Sequence, residues 1–380
     1  MSTSSPSAAD LVENLPPLRV DGRLMALRHR LAEAGAGVDA VVVTALRNVR
    51  WLTGFTGSNG AVVLFGSGRA VMVTDSRYAE QAPAELAAAG CGDDVEVLIA
   101  RRSTAVAPQL EGVDRLGLED SIAWREQLAW KAAVEAEVVP LTSLVEQLRA
   151  VKDAAELARM QAAATITDEA LASVEPMLRP GVTEIQVQQA LDAAMRAGGA
   201  SGPAYDTIVA SGPNSALPHA RPTDREFQEG DLVLIDVGAT VDGYRSDMTR
   251  TFVLGDPDDR TEVMLDLVGL SQAAGVQAVR PGAGAAEVDS VCREVLAQGG
   301  MADAFIHSTG HGVGLDIHEL PTVASQSAAV LAPGNVVTVE PGVYFPGVGG
   351  VRVEDLLVVT QGGCRALTRY PKTTVVPLVR

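Results

Sequence analysis

From Asp21 to about Arg149, short apolar runs (DAVVVT, GAVVLF, RAVMVTD, VEVLIA, RLGLED) alternate with Ala-, Leu- and Glu-rich stretches of helical length. Strand then helix, repeated, predicts an α/β domain with a largely parallel sheet. At Val151-Lys152-Asp153 the pattern changes to one long helical segment, KDAAELARMQAAATITDEALASV. The shift divides the chain into a loose, polar N-terminal arm over residues 1–20, an α/β domain over 21–149 and a second domain over 150–380. Inside the second domain, GDLVLIDVGATVDGYRSDMTRTF runs from Gly230 to Phe252 and breaks at Asp242-Gly243, a strong signal for a type I′ hairpin turn. With Asp242 and Gly243 as the loop, Val241 faces Tyr244, Gly238 faces Asp247, and Asp236 and Asp247 are diagonal neighbours on one face. Core strands exclude unpaired Asp, because burying the charge costs several kcal/mol or forces protonation, so a cation is expected between the two carboxylates.

The second domain also repeats itself. LRPGVTEIQVQQALDAAMRAGG from Leu178 matches VRPGAGAAEVDSVCREVLAQGG from Val279, and GDLVLIDVG from Gly230 matches GNVVTVEPG from Gly334, at offsets of 101 and 104 residues. Each copy is predicted to supply helix, RPG turn, helix and hairpin. The register sets Asp236 against Glu340, and each return strand carries a second acid, Asp247 or Glu354. Two such hairpins meeting about a pseudo-twofold axis bring four carboxylates together. At about 4 Å they cannot all stay ionised without cations, and two divalent ions would balance them.

Composition narrows the partners. A net charge of -18 and a pI near 4.7 argue against nucleic acid or an anionic membrane, either of which needs clustered Lys and Arg. Three scattered cysteines, Cys91, Cys292 and Cys364, form no CxxC pair, so neither a disulfide framework nor a thiolate zinc site is expected. No apolar run approaches the about 18 residues of a membrane span, and the N-terminus lacks the pattern of a secretory signal. A cytoplasmic protein is the expectation.

Four of the five histidines, His219, His307, His311 and His318, lie in the duplicated half, three of them in HSTGHGVGLDIHE, whose glycines oppose a helix. His29 is read as a surface residue. The HExxH of a zincin is absent, since Ser308 follows His307. Carboxylates with a single imidazole suit Mn or Co first, with Zn or Fe as alternatives. A carboxylate-bridged metal pair, ~3.5–4 Å apart, makes a hydroxide nucleophile at neutral pH.

These residues resemble the metallopeptidases of the "pita-bread" fold, the group of Xaa-Pro aminopeptidase (aminopeptidase P), Xaa-Pro dipeptidase (prolidase), methionine aminopeptidase and creatinase. The resemblance covers the whole chain and implies an α/β N-terminal domain followed by an α+β catalytic domain with internal pseudo-twofold duplication. The family's Asp, Asp, His, Glu, Glu ligand order is matched by Asp236, Asp247, His311, Glu340 and Glu354. It implies that Asp247 and Glu354 bridge two divalent ions, with Mn first, that Asp236 holds one, and that His311 and Glu340 hold the other. It further implies Glu340 as general base and His318 as partner of the developing oxyanion. His219 would contact substrate or shuttle protons, and His307 would wall the proline pocket. Arg352, on the strand face of Glu354, would orient that carboxylate or Tyr344.

Intact ligands exclude creatinase, and the N-terminal domain speaks against methionine aminopeptidase. GFTGSNG and TDSRYAEQA are similar to segments of aminopeptidases P, and Thr322 stands in HELPT where some prolidases carry Arg. The expectation is therefore an Xaa-Pro aminopeptidase acting on peptides with Pro second. A prolidase confined to dipeptides is the alternative, and a non-catalytic binding module of the same fold a third reading. Family members of this length imply a homodimer.

Overall fold

The structure is a computed structural model that describes residues 6–372 and 375–377. Two compact units are present: Pro17–Arg149, and Ala150–Arg380 together with the chain up to Pro16.

In the first unit the apolar runs form a six-stranded sheet in the order Val95–Ile99, Ala70–Thr74, Ala61–Phe65, Ala40–Val43, Arg115–Glu119, Glu137–Leu141. Three of its pairings are parallel, but Ala61–Phe65 is antiparallel to both neighbours, so the sheet is mixed rather than largely parallel. The link from Phe65 to Ala70 is a tight turn closed by Phe65 N–H to the Arg69 carbonyl at 2.9 Å. A link so short joins only antiparallel strands, since a parallel crossover needs a dozen residues or so. The polar segments GFTGSNG and TDSRYAEQA adjoin. Ser58 N–H donates to the Tyr78 hydroxyl at 3.0 Å, and the Asn59 amide donates to Asp75 Oδ2 at 2.7 Å.

The second unit is built twice. Helices Ala154–Val174 and Glu184–Ala197 cover a sheet ordered Val375–Val376, Met248–Leu254, Leu232–Val237, Ile208–Ser211. Helices Asp259–Ala278 and Ala285–Gln298 cover a sheet ordered Glu319–Val323, Gly310–Gly312, Val336–Val339, Asp355–Thr360, Gly363–Ala366. Both RPG turns are closed alike: Gly181 N–H donates to the Phe227 carbonyl at 3.1 Å and Gly282 N–H to the Leu331 carbonyl at 2.8 Å. Each half has its own apolar core, around Leu171, Leu191 and Ile235 in one and Val268, Leu296 and Val337 in the other. Full burial of each such side chain stabilises by roughly 1.5–3 kcal/mol.

The first hairpin has the register expected from its turn. Val241 pairs with Tyr244 and Thr249 with Asp236, and Asp242 and Gly243 both have positive φ, 44° and 75°. Arg159 Nε fixes the turn by donating to Asp242 Oδ2 at 2.6 Å. In the second hairpin Val339 pairs with Asp355 and Gly342 with Arg352, which sets Glu340 directly opposite Glu354. The acids are thus diagonal in one copy and opposed in the other. The halves meet where Glu354 N–H donates to the Thr249 carbonyl at 3.1 Å and Arg352 N–H to Thr251 Oγ1 at 3.0 Å.

The N-terminal arm departs from expectation. Residues 1–5 lie outside the described residues, as do 373–374 and 378–380 of the second domain. Ala8–Glu13 is a helix with a Ser7/Asp10 capping box, its Ala8 is buried, and Leu11, Val12 and Leu15 pack on the first core. The polar composition conceals that apolar face, which anchors the arm to the second unit.

Gly238 sits where the hairpin leaves no room: a Cβ there would come 2.1 Å from the Ser246 carbonyl oxygen. Gly238→Ala is expected to destabilise the second unit by about 2 kcal/mol or more, read as a lowered melting temperature. An unchanged melting curve would refute the tight register.

Candidate metal centre

Asp236 is the penultimate residue of strand Leu232–Val237 and Asp247 precedes Met248–Leu254, while His311, Glu340 and Glu354 come from the second half. Ligand-type atoms of Asp247, His311 and Glu354 all lie within 4.8 Å of one another. His311 Nε2 is 3.2 Å from Glu340 Oε1 and 3.5 Å from Asp247 Oδ2. Its Nδ1 is 3.0 Å from the Gly312 carbonyl, which can only accept, so Nδ1 carries the proton and Nε2 faces the carboxylates. Asp236 joins from the other side through Tyr205, whose hydroxyl contacts Asp236 Oδ1 and lies 2.6 Å from Asp247 Oδ1.

The crowding governs the charges. Burial, then the charges of Asp236 and Glu340, push Asp247 well above the usual carboxylate range; burial, then Asp247 and Glu340, do the same to Glu354. Glu340 moves the other way. Burial opposes its charge, but the hydrogen bond and charge of His311 outweigh it and bring the carboxyl to about 2. Burial likewise opposes the imidazolium, yet Glu340 raises His311 to about 9.

A divalent pair fits this donor set. Glu354 is buried, its Oε2 takes a 2.7 Å hydrogen bond from Thr249 Oγ1, and its buried Oε1 has no hydrogen-bond partner. An orphaned, buried carboxylate oxygen is what a cation would satisfy.

Arg352 is buried and holds Tyr344 directly, but it reaches Glu354 only through the Thr249 hydroxyl. Its Nη2 donates to Asp236 Oδ2 at 2.6 Å, its Nη1 to the Tyr344 hydroxyl at 2.8 Å and its Nε to Thr249 Oγ1 at 3.0 Å. Strand parity placed it beside Glu354, whereas its long side chain crosses to the opposite hairpin. Tyr344 in turn is 2.9 Å from His307 Nε2, and His307 Nδ1 is 2.8 Å from the Ser308 carbonyl. Donation therefore runs one way, from Arg352 to Tyr344 to His307 to Ser308. The backbone around His307 is clamped from helix Ala285–Gln298: Arg293 donates to the Phe305 and His307 carbonyls, and buried Asp289 accepts Thr309 N–H at 3.0 Å. His318 is exposed, its ring centroid 4.3 Å from that of His311. Partial burial and the charge of His311 lower its pKa, leaving a neutral imidazole at neutral pH. His219 is exposed beside Pro218, whose carbonyl accepts from Arg352 at 3.3 Å.

Tyr205 is the site residue that sequence reasoning missed. It is one of five tyrosines, in a loop with no periodic pattern, and only its position 31 residues before Asp236 connects it to the ligands.

A duplicated α+β unit that buries this donor set defines a metal-dependent hydrolase. Residues 158–361 match metallopeptidase family M24, and residues 23–151 match the creatinase/prolidase N-terminal domain. The chain belongs to metallopeptidase family M24. An uncharacterised peptidase, YqhT, of Bacillus subtilis is 40% identical over 342 residues, 90% of this chain and 96% of that protein. The solved Xaa-Pro dipeptidase of Bacillus anthracis superposes with a TM-score of 0.88 at 38% identity, covering 93% of this chain and all of that one. The X-Pro aminopeptidase of Thermotoga maritima gives a TM-score of 0.81 at 31% identity over 91% of this chain and 99% of that one. Among the described residues no helix is long and apolar enough to cross a membrane.

Two outcomes test the centre. Asp247, Glu354 and His311 all have folded pKa values raised above their unfolded ones, so each contribution to stability is complete below its unfolded value. It is lost as pH climbs through the folded one. The melting temperature of metal-free protein should fall between about pH 5.5 and about pH 8.5, and saturating Mn should flatten the slope. A metal-free curve that rises over that range contradicts the buried cluster. Tyr205→Phe, which keeps the ring and removes the hydroxyl, should weaken Mn binding by calorimetry by about 10-fold or more with the fold retained. Unchanged affinity would leave Tyr205 without a role in the centre.

Proposed function

We propose that this chain is an Xaa-Pro dipeptidase, hydrolysing the bond between an N-terminal residue and a following proline with the dipeptide as substrate. The observation that carries the hydrolytic reading is the convergence of Asp236, Asp247, His311, Glu340 and Glu354, with Glu354 Oε1 left unpartnered. These five residues would hold two divalent ions, Mn first, with Asp247 and Glu354 shared between them. Bound there, the ions would lower the pKa of water and polarise the scissile carbonyl.

The protein's own groups do the rest. Glu340 keeps an ionised carboxylate within reach of His311 and accepts the proton of the attacking water. His318 donates to the carbonyl oxygen as negative charge develops on it, a contribution of about 3 kcal/mol for a well-placed donor. His307, held by Tyr344, walls the space for the proline ring, and His219 contacts substrate from the exposed rim. Arg352 positions Asp236 and Tyr344 and touches no reacting atom.

The dipeptide reading stands ahead of the aminopeptidase reading because it has the support of the Bacillus anthracis dipeptidase, with its higher identity and superposition. Cleavage of longer Xaa-Pro-Yaa peptides remains a second reading, favoured by Thr322, which is exposed on strand Glu319–Val323 where some prolidases carry Arg. Mn-loaded protein should release the N-terminal residue from Ala-Pro much faster than from Ala-Pro-Ala. The reverse order would make it an aminopeptidase, and silence on both with metal bound would leave a binding module. Asp247→Asn replaces a carboxyl that is driven neutral without metal. Hydrolysis should be lost while the metal-free stability changes by less than about 1 kcal/mol. Normal kcat in that variant would refute Asp247 as a shared ligand.

A further inference from the structure

The segment that carries His311 and His318 has little regular structure to hold it. Gly310–Gly312 pairs with Glu319–Val323 across a shifted register, and Gly312 lies opposite Glu319. The far side of the intervening loop is tied to the first hairpin by Arg245 N–H to the Gly314 carbonyl at 3.0 Å. Its near side is filled by the carboxylate of Glu319. A Cβ on Gly314 would come 2.4 Å from Glu319 Oε1, and the Asp316 N–H points at Oε2 from 3.4 Å.

Beneath that carboxylate lies Lys152. Its Nζ donates to Glu319 Oε1 at 2.6 Å and to the Ala150 carbonyl at 3.4 Å, and the side chains are only 1% and 4% exposed. Lys152 is one of three lysines among 30 basic residues. It is itself pinned, because its N–H donates to the Gly334 carbonyl at 2.9 Å and Val151 bridges to Asn335. Desolvating two charges cancels much of their attraction, so such a pair is a poor source of net stability, while its geometry is demanding.

We propose that the buried Lys152–Glu319 ion pair is a positioning device for His318, pinning the inner side of the glycine-rich loop so that the adjacent imidazole keeps its place against His311. The proposal rests on the reading of His318 as the partner of the substrate carbonyl. The pair acts through the residue next to Glu319 in the chain.

The test uses full-length, Mn-loaded protein, Ala-Pro hydrolysis, thermal melting and amide hydrogen exchange. Lys152→Met removes the buried ammonium that Glu319 accepts from and should lower both the melting temperature and kcat, the latter about 10-fold or more, with KM within about twofold. The double variant Lys152→Met/Glu319→Gln removes both charges and should regain the melting temperature but not kcat. Exchange over residues 312–319 should be faster in both variants while 232–254 stays protected. Return of kcat with stability in the double variant would overturn the proposal, since the pair would then serve stability alone. His318→Ala, run beside them, separates the two ideas. A slow His318→Ala with a normal double variant sinks only the positioning role. A normal His318→Ala, or an unaltered protein silent on Ala-Pro, sinks the underlying reading and the proposal with it.

Discussion

Four acidic side chains, Asp236, Asp247, Glu340 and Glu354, face one another where water is largely excluded, and their mutual repulsion is the constraint to which the surrounding structure answers. Without a cation the cluster answers with protons: Asp247 and Glu354 are driven toward their neutral forms, and His311 is driven toward its charged one. The Tyr205 hydroxyl has one proton for two carboxylate oxygens, consistent with one of those carboxyls carrying its own. A metal-dependent peptidase needs this frustration, because a site already satisfied by protein groups would have little affinity left for ions.

The scaffold that tolerates the repulsion is rigid and doubled. Each pair of acids sits on a hairpin whose register is set by paired backbone and whose outer face is covered by two helices. The halves are joined at the acids themselves, through Thr249 and Glu354 and through the buried pair Arg250–Asp355 at 2.9 Å. Symmetry is incomplete at the centre. Diagonal acids in one hairpin and opposed acids in the other, with His311 from the second half only, give two sides of different chemistry from one repeated unit.

Around the centre, cations brace loops and leave the reacting space to the histidines. Arg352 ties Asp236 to Tyr344 and so to His307, Arg293 with Asp289 clamps the backbone that carries His307, and Lys152 with Glu319 underlies the loop that carries His318. Loops rich in glycine allow close approach of backbone to substrate but lose more entropy on ordering, so buried polar anchors with fixed geometry suit them.

Local signals carried much of this. Period-two alternation and the Asp242-Gly243 turn determined the first hairpin's register to the residue, and the internal repeat paired Asp236 with Glu340, because both depend on neighbours along the chain. The Ser7/Asp10 capping box was also present in the sequence, hidden in a polar arm. Beyond reach were contacts that join residues far apart with no shared period: Tyr205 to Asp236 and Asp247, Arg352 to Asp236 across 116 positions, and Lys152 to Glu319 across 167. Strand parity says which face a side chain leaves from, but only the packing of one hairpin against the other decides where a long arginine ends. The sequence by itself therefore determined the ligand types, the duplication and the hairpin that aims two of the acids. The tertiary structure alone decided which neighbours restrain those groups, because a buried charge is governed by whatever folding brings within a few ångströms of it.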